Sequence, residues 1–217
     1  LLTEDTGDFN TAVGYQALYT QNRDGTVGNT AVGHKAGYDM TTGYENTLIG
    51  RDAGTNLTSG EENVIMGQSA GGTATTQASL TLIGFRAGMD INSDAADGTV
   101  AIGRSAGENI TSGAGLTAVG YQAATGMVDG YSNTAIGYQA LYSEVASDES
   151  TAIGYQALYS QSGSTGTLGN TAVGNLAGRA TTTAYRNTYV GKSAALSVTT
   201  GQQNTAIGWA ALQTVTT

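Results

Sequence analysis

Proline and cysteine are both absent from the 217 residues, histidine occurs once, at His34, and only 12% of the residues are charged. Without cysteine the chain forms no disulfide and offers no thiolate to a metal, and one histidine excludes a histidine-rich metal centre. We therefore predict no cofactor. The net charge of −9 has the wrong sign for a surface that neutralises phosphates, so nucleic acid is disfavoured as a partner.

Long apolar runs are also missing. No run approaches the roughly 18 residues that a membrane-spanning helix needs, so we predict no direct membrane insertion by this segment. The first residues, Leu1-Leu2-Thr3-Glu4-Asp5, show neither an initiator Met nor the basic-then-apolar order of a signal peptide. We expect the chain to be an excised segment of a longer fibrous protein.

Glycine, by contrast, occurs 33 times, about twice its usual frequency. Disorder and collagen do not account for it, because 39% of the residues are hydrophobic and glycine does not recur at every third position. The glycines instead mark an internal repeat. A glycine that ends a Thr-Ala-Val/Ile-Gly block or a variant of that block recurs twelve times at spacings of 17 to 20 residues, and we call these residues the anchor glycines: Gly14, Gly33, Gly50, Gly67, Gly84, Gly103, Gly120, Gly137, Gly154, Gly174, Gly191 and Gly208.

The repeat unit is typical of a β-strand followed by turns. The segment 133–140, NTAIGYQA, is rich in β-branched and aromatic residues and too short for a helix. A period of 17 matches one coil of a β-solenoid, in which each coil hydrogen-bonds to the next along its length. We predict one all-β domain over residues 1–217, a parallel β-solenoid of about twelve coils of 17–20 residues and about 57 Å in length. Proline is absent because nearly every backbone N–H is needed for these hydrogen bonds.

Alternation along the strand separates two columns of side chains. The residue directly before each anchor glycine is Val, Ile or Met, and we expect this column to fill the interior. The residue two before it is mostly Ala, and we expect this flat Ala/Gly face to pack against sister chains, because one branched side chain per coil makes a thin core. The prediction is a homo-oligomer.

The turns carry a second glycine, seven residues before the anchor, in several coils. We expect these residues to adopt positive φ in tight turns. The extra residues of the longer coils fall in the same region, at 94–98 and 162–166, and should leave the strands undisturbed. The second glycines are Gly43, Gly60, Gly113, Gly130 and Gly201.

Apparent catalytic motifs are better explained as repeat copies, and we predict no catalytic residues. Ser69 and Ser105 each lie in a Gly-x-Ser-x-Gly match, but other coils carry Gln, Asp or Lys at that position. His34 is one variant in a column that is mostly aromatic or charged. The acidic pair Asp94 and Asp97 lies in a turn, where carboxylates are usually solvated, and the chain has no nonapeptide motif for calcium.

Tyrosines form two columns. One follows the anchor glycine directly and includes Tyr121, Tyr138 and Tyr155; the other lies five residues after it and includes Tyr142 and Tyr159. Their even spacing would place both columns on one face if the strand were unbroken. The rings either stabilise neighbouring coils as a stacked ladder or form a platform that grips sugar rings.

The blocks NTAVGYQA at 10–17 and NTAIGWAA at 204–211 resemble the head repeats of trimeric autotransporter adhesins and similar blocks in phage tail fibres. The resemblance covers all twelve coils. It implies a left-handed parallel β-roll, three chains packed around an axis, and non-enzymatic adhesion to a host glycan or protein receptor at a bacterial cell surface or on a virion tail fibre. The coils here are longer than the roughly 14 residues of the adhesin heads, and neither a heptad stalk nor a membrane anchor is present, so the adhesin head and the tail-fibre segment both stay open.

Two other functions are compatible with a solenoid. An ice-binding surface could use the Thr that lies three residues before the anchor in every coil except those of Val64 and Val100, although such surfaces usually pair two Thr in one strand. A polysaccharide-cleaving tailspike is the second alternative. It would need a pair of carboxylates that face each other across a sugar.

Overall fold

The computed structural model describes residues 7–163 and 166–213 and confirms an all-β parallel solenoid, of about eleven turns. Within that part of the chain the only helix is a 3₁₀ turn at Asp94–Ala96, and no helix is long and apolar enough to span a bilayer. The strands are β1 (Gly7–Asp8), β2 (Thr11–Val13), β3 (Gly25–Thr26), β4 (Thr30–Val32), β5 (Thr47–Ile49), β6 (Val64–Met66), β7 (Thr81–Ile83), β8 (Val100–Ile102), β9 (Thr117–Val119), β10 (Thr134–Ile136), β11 (Ser147–Asp148), β12 (Thr151–Ile153), β13 (Gly166–Thr167), β14 (Thr171–Val173), β15 (Thr188–Val190) and β16 (Thr205–Ile207).

The twelve three-residue strands form one parallel sheet in chain order, from β2 to β16. Their register aligns equivalent repeat positions, so Thr134 pairs with Thr151 and Ile136 with Ile153. The two-residue strands pair separately, β1 with β3 and β11 with β13. The longer coils leave the sheet in register, which confirms that the insertions spare the strands; Ser164 and Thr165 of the insertion at 162–166 lie outside the described residues.

Hydrogen bonds between coils continue beyond the strands, as predicted. After each anchor glycine the direction of the bonds alternates: the Gln156 N–H donates back to Tyr138 O at 2.9 Å, whereas the Leu141 N–H donates forward to Ala157 O at 3.0 Å. The alternation is produced by left-handed residues at the second and fourth positions after each anchor, with φ of 51° at Gln139 and 54° at Leu141. The backbone therefore satisfies its polar groups without longer strands.

The predicted assignment of the two strand faces is wrong. The residue two before the anchor points into the solenoid, and every member of this inner column except Ala12 is buried. The residue directly before the anchor points outward and is half-buried or exposed. The inner column comprises Ala12, Ala31, Leu48, Ile65, Leu82, Ala101, Ala118, Ala135, Ala152, Ala172, Tyr189 and Ala206.

Alanine suffices in the inner column because the opposite wall of the coil fills the remaining space. That wall contributes the buried residues three, four and seven after the anchor, such as Ala140, Leu141 and Met127. The side chains that face each other across the interior match in size. In coils that are followed by another, the fourth residue after the anchor is Leu only where the inner-column residue is Ala both in that coil and in the next. Next to Leu48 it is Gly37, where a Cβ would lie 2.7 Å from the Leu48 Cδ1. The core is therefore packed by complementary volumes rather than by one aliphatic column.

A buried asparagine ladder lies beside the inner column, four residues before the anchor. Asn46 Oδ1 accepts the backbone N–H and the side-chain amide of Asn63 at 3.1 and 2.9 Å, and Asn46 Nδ2 donates to Gly60 O at 2.8 Å. The pattern repeats from Asn170 to Asn187. Each asparagine amide thus bonds to a carbonyl about one turn later and to the asparagine of the next coil. These bonds satisfy the buried amide nitrogen and oxygen.

The glycines are required by close approach of neighbouring coils. A Cβ on Gly137, at φ 134°, would lie 2.5 Å from Gly154 O in the next coil. The second glycines are also buried, but positive φ is not the reason for them, contrary to the prediction: Gly43 has no positive φ, and a Cβ there would lie 2.6 Å from Gly60 O. The absence of a side chain, not a left-handed turn, is what these positions need.

Two side chains replace a missing carbonyl where the next coil is longer. In regular coils the backbone N–H groups eight to ten residues after the anchor donate to one carbonyl of the next coil, as Thr41, Thr42 and Gly43 do to Thr58 O. In the two coils that precede the insertions at 94–98 and 162–166, the corresponding carbonyl of the longer coil does not accept these hydrogen bonds. Gln77 Oε1 accepts from Thr75 and Thr76 in one coil. In the other, Glu144 Oε1 accepts at 2.9 to 3.1 Å from three consecutive N–H groups, those of residues 145–147.

Replacing Glu144 should therefore test whether its oxygen or its volume matters. Glu144→Gln keeps an acceptor oxygen, as Gln77 does, and we expect its free energy of unfolding to stay within about 1 kcal/mol of the unaltered chain. Glu144→Met matches the apolar side chain of Met127 in the preceding coil but removes the acceptor, so we expect a loss of about 2–3 kcal/mol. Urea unfolding measures both. Glu149→Met, at an exposed position, is the control, and a fully stable Glu144→Met would contradict this role.

Candidate functional site

The outward side of the sheet forms one face of the solenoid, which we call the outer face. It consists of a threonine column, three residues before each anchor glycine, and an aliphatic column directly before it. The aliphatic side chains are 37% exposed at Ile136 and 69% exposed at Ile207. The aliphatic column is Val13, Val32, Ile49, Met66, Ile83, Ile102, Val119, Ile136, Ile153, Val173, Val190 and Ile207. A continuous row of such side chains is unusual on a surface that stays in water.

The two chain segments that flank the outer face differ in charge. Among the residues whose side chains the structure describes, the segment that precedes each strand carries, besides the buried Glu144, nine carboxylates and two guanidinium groups: Asp24, Glu45, Glu61, Glu62, Asp94, Asp97, Asp129, Asp148 and Glu149 against Arg23 and Arg186. We call it the acidic edge. The segment of six residues that follows each anchor carries six basic and four acidic groups: Lys35, Arg51, Arg86, Arg104, Arg179 and Lys192 against Asp39, Asp52, Asp90 and Glu108. We call it the basic edge.

The tyrosines of the basic edge form stacked ladders. The Tyr121 and Tyr138 ring centroids lie 5.1 Å apart with an interplanar angle of 7°, and Tyr155 continues the stack at 5.2 Å. In the second column Tyr142 and Tyr159 stack at 5.1 Å. Each shared ring face is covered by its neighbour, so the middle ring, Tyr138, presents its edge and hydroxyl to solvent rather than a face.

Arginines extend both ladders. The Arg104 guanidinium lies between the rings of Phe85 and Tyr121, 5.3 and 5.7 Å from their centroids, and donates to the Tyr121 hydroxyl at 3.1 Å. The guanidinium of Arg179 lies 5.4 Å from the Tyr159 ring centroid. We call the column of Phe85, Arg104, Tyr121, Tyr138 and Tyr155 the aromatic strip.

A ladder of glutamine amides accompanies the aromatic strip. Gln156 Nε2 donates to Gln139 Oε1, and Gln139 Nε2 donates to Gln122 Oε1, both at 2.9 Å. Arg179 Nε donates to Gln156 Oε1 at 3.0 Å, which completes the row. The Tyr-Gln pair that follows several anchor glycines was the sequence signal for this ladder, and its amides and the two arginines were not predicted.

The condition for placing both tyrosine columns on one face is not met. The strand ends at the residue before the anchor, and two left-handed residues, Gln139 and Leu141, separate Tyr138 from Tyr142. Two-residue alternation therefore does not apply across this segment.

The Gly-x-Ser-x-Gly matches lie in ordinary turns. Ser69 and Ser105 occupy the left-handed second position after their anchors, with φ of 56° and 57°, and Ser105 is buried. A nucleophile elbow requires a helix after the strand, whereas turns follow both serines. His34 stacks on Tyr15 at 5.5 Å, and its Nδ1 lies 3.5 Å from Asp52 Oδ1.

The carboxylates of the insertion at 94–98 form hydrogen bonds within the fold. Asp94 Oδ1 accepts from the Thr76 hydroxyl at 2.6 Å, and Asp97 Oδ1 accepts from the Ala78 N–H at 2.9 Å, so both fasten the insertion to the preceding coil. Within residues 7–163 and 166–213 no three acidic or histidine side chains lie close enough together to hold a metal ion.

Two tyrosines have perturbed pKa values. On the acidic edge, a hydrogen bond to Glu61 is the main cause that raises the pKa of Tyr44. In the core, burial raises the pKa of Tyr189 to about 12. Neither residue belongs to the aromatic strip.

Comparison with known proteins adds no relative: no protein family, no curated protein and no solved structure gives a significant match to this chain.

Proposed function

We propose that the chain is a non-enzymatic fibre module, an adhesin head or a tail-fibre segment, that attaches to a cell surface or host receptor outside the cell as a homotrimer. The observation that carries the proposal is the aliphatic column of the outer face. Burying one Val or Ile side chain stabilises an assembly by about 1.5–3 kcal/mol, and each coil offers one such side chain. A sister chain in parallel register presents the same aliphatic side chains at the same spacing, so it can cover the aliphatic column along its whole length.

Equivalent positions of parallel sister chains lie at the same height along the solenoid, so a cyclic assembly about an axis parallel to the solenoid buries the whole aliphatic column. The number three comes from the resemblance to adhesin heads and tail fibres.

A charge placed in the aliphatic column should separate the chains. We expect the double variant Ile136→Asp/Ile153→Asp to sediment as a monomer, because each carboxylate would be desolvated at the contact, while its circular dichroism stays that of the unaltered chain. Val145→Asp is the matched control, since Val145 is exposed and lies away from the outer face. A double variant that keeps the mass of the unaltered chain would overturn the outer face as the contact.

Ice binding is a second candidate, favoured by one observation. The threonine column lies on the same outward side as the aliphatic column, with Thr in register with Thr across most pairs, such as Thr117 and Thr134. A face buried between sister chains is not available to ice, so the two functions exclude each other. A monomeric chain that produces thermal hysteresis would support ice binding and contradict the fibre module.

A further inference from the structure

The aromatic strip lies in the part of the basic edge where cations outnumber carboxylates. From the coil of Gly103 to that of Gly191, the basic edge carries Arg104, Arg179 and Lys192, all exposed. Its one carboxylate in this stretch, Glu108, is paired with Arg86 at 3.0 Å. The remaining cations therefore have no acidic neighbour on this edge, although the whole chain has a net charge of −9.

The hydrogen-bonding groups beside these cations are arranged along the solenoid axis. The stacked rings of Tyr121, Tyr138 and Tyr155 present a row of phenolic hydroxyls, one per coil. The glutamine ladder holds Arg179 through its Nε, so the other N–H groups of the guanidinium stay open to solvent. Arg104 and Arg179 are four coil steps apart, a span of about 19 Å at roughly 4.8 Å per step.

We propose that the aromatic strip, together with Arg179 and Lys192, binds a linear acidic polysaccharide that lies along the solenoid axis. Its carboxylates pair with the separated cations, and its hydroxyls exchange hydrogen bonds with the tyrosine hydroxyls between them. Ring stacking contributes little, because the shared tyrosine faces are already covered. This proposal rests on the proposed attachment function and names the ligand class of that module.

The spacing of charge favours a glycan over a nucleic acid. Duplex DNA carries one negative charge about every 1.7 Å, and three separated cations cannot neutralise such a density on a chain that is itself acidic. A polysaccharide with one carboxylate in every second sugar presents sparse charges that match sparse cations. Hydroxyl groups along the polymer match the neutral middle of the strip.

The experiment measures binding of the unaltered chain to hyaluronan, which carries one carboxylate per disaccharide, with dextran as a neutral probe and single-stranded DNA as a different polyanion. We expect binding to hyaluronan alone, weakened at least tenfold between low salt and 0.5 M salt. We expect Arg104→Gln/Arg179→Gln to lose at least tenfold in affinity, whereas Arg23→Gln/Arg186→Gln, which removes the same charge from the acidic edge, keeps the affinity. Tyr138→Phe, which keeps the ring stack, should lose two- to fivefold.

Absence of hyaluronan binding, equal binding of dextran or DNA, or equal losses in the two double variants would each overturn the proposal. Circular dichroism of each variant shows whether a loss comes from unfolding; should Arg104→Gln/Arg179→Gln not fold, Tyr138→Phe and the salt dependence still decide. None of these outcomes bears on the trimer, whose mass is measured without a ligand, so failure of the glycan site and failure of the fibre module are distinguishable.

Discussion

Gly137→Ala is expected to lower the free energy of unfolding by about 4 kcal/mol or more, among the largest effects of any single methyl group in this chain. The added Cβ would lie 2.5 Å from Gly154 O and 2.7 Å from its carbonyl carbon, and both belong to backbone that is fixed by the sheet. Relief requires the two coils to separate, which breaks hydrogen bonds on both sides of the anchor. The left-handed φ of 134° adds strain for any residue with a side chain.

Gly98→Ala is the matched control for this effect. Gly98 also has a positive φ, of 76°, but nothing lies within 4 Å of its added Cβ, so only the conformational strain of about 1–2 kcal/mol remains. Urea unfolding followed by circular dichroism measures both variants. Equal losses at Gly137 and Gly98 would show that close approach of coils is not what selects the anchor glycines.

Leu48→Ala is expected to cost about 2–4 kcal/mol, because it leaves a cavity against the glycine positions that face Leu48. Gly37→Leu alone should also destabilise, since its Cβ would lie 2.7 Å from the Leu48 Cδ1. The double variant Leu48→Ala/Gly37→Leu reproduces the arrangement at Leu141, between Ala135 and Ala152. We therefore expect the double variant to be more stable than either single variant.

These three variants separate the effect of side-chain packing from the effect of backbone conformation. Gly37 has φ 58°, close to the φ of 54° at Leu141, so leucine is compatible with the local backbone. A thermodynamic cycle from urea unfolding gives the interaction energy between the two positions. Additive losses, with the double variant the least stable of the three, would contradict complementary filling of the interior.

The repeat and its fold class could be predicted from the sequence because backbone geometry fixes them. An anchor glycine such as Gly137 faces the next anchor across a coil-to-coil contact, so it recurs wherever the solenoid continues. The period of 17 and the lack of proline follow from the same hydrogen bonds. Insertions occur where no sheet contact is lost, which is why the segment at 94–98 leaves the register intact.

The inward face could not be chosen from alternation alone. Alternation states that Ala135 and Ile136 point to opposite sides, and the larger side chain is the natural candidate for a core. The interior, however, is also filled from the opposite wall, so alanine fits there and isoleucine does not. The sequence signal for this arrangement was that the coil with Leu48 instead of Ala in the inner column is preceded by a coil with Gly37 at the facing position. A large side chain at one position and a small one at the other compensate in volume only if the two residues are in contact.

Polar groups inside the coil were missed for a similar reason. Asn133 precedes the strand in one of the repeat blocks, where asparagine reads as a turn residue, yet it is buried and donates to Ser147 O. Glu144 reads as a surface carboxylate, although it replaces a backbone acceptor. Both roles depend on which carbonyl of a neighbouring coil lies within reach, and that is a property of the three-dimensional stack.

Part of the candidate site could be predicted and part could not. The tyrosine columns follow from the repeat, and the stacking of Tyr121, Tyr138 and Tyr155 follows from their register. The positions of Arg104 and Arg179 at the ends of the ladders do not, because arginine is rare in both columns and interrupts the tyrosine pattern. The separation of the acidic and basic edges becomes visible only when the charges are assigned to positions within a coil.

Sedimentation equilibrium of the unaltered chain at micromolar concentration tests the central claim most directly, that the outer face is buried between sister chains. The predicted result is a single species with three times the mass of the 21.9 kDa chain, at a salt concentration that screens the charged edges. A species with the mass of one chain under the same conditions, with the circular dichroism of a β-solenoid, would contradict it.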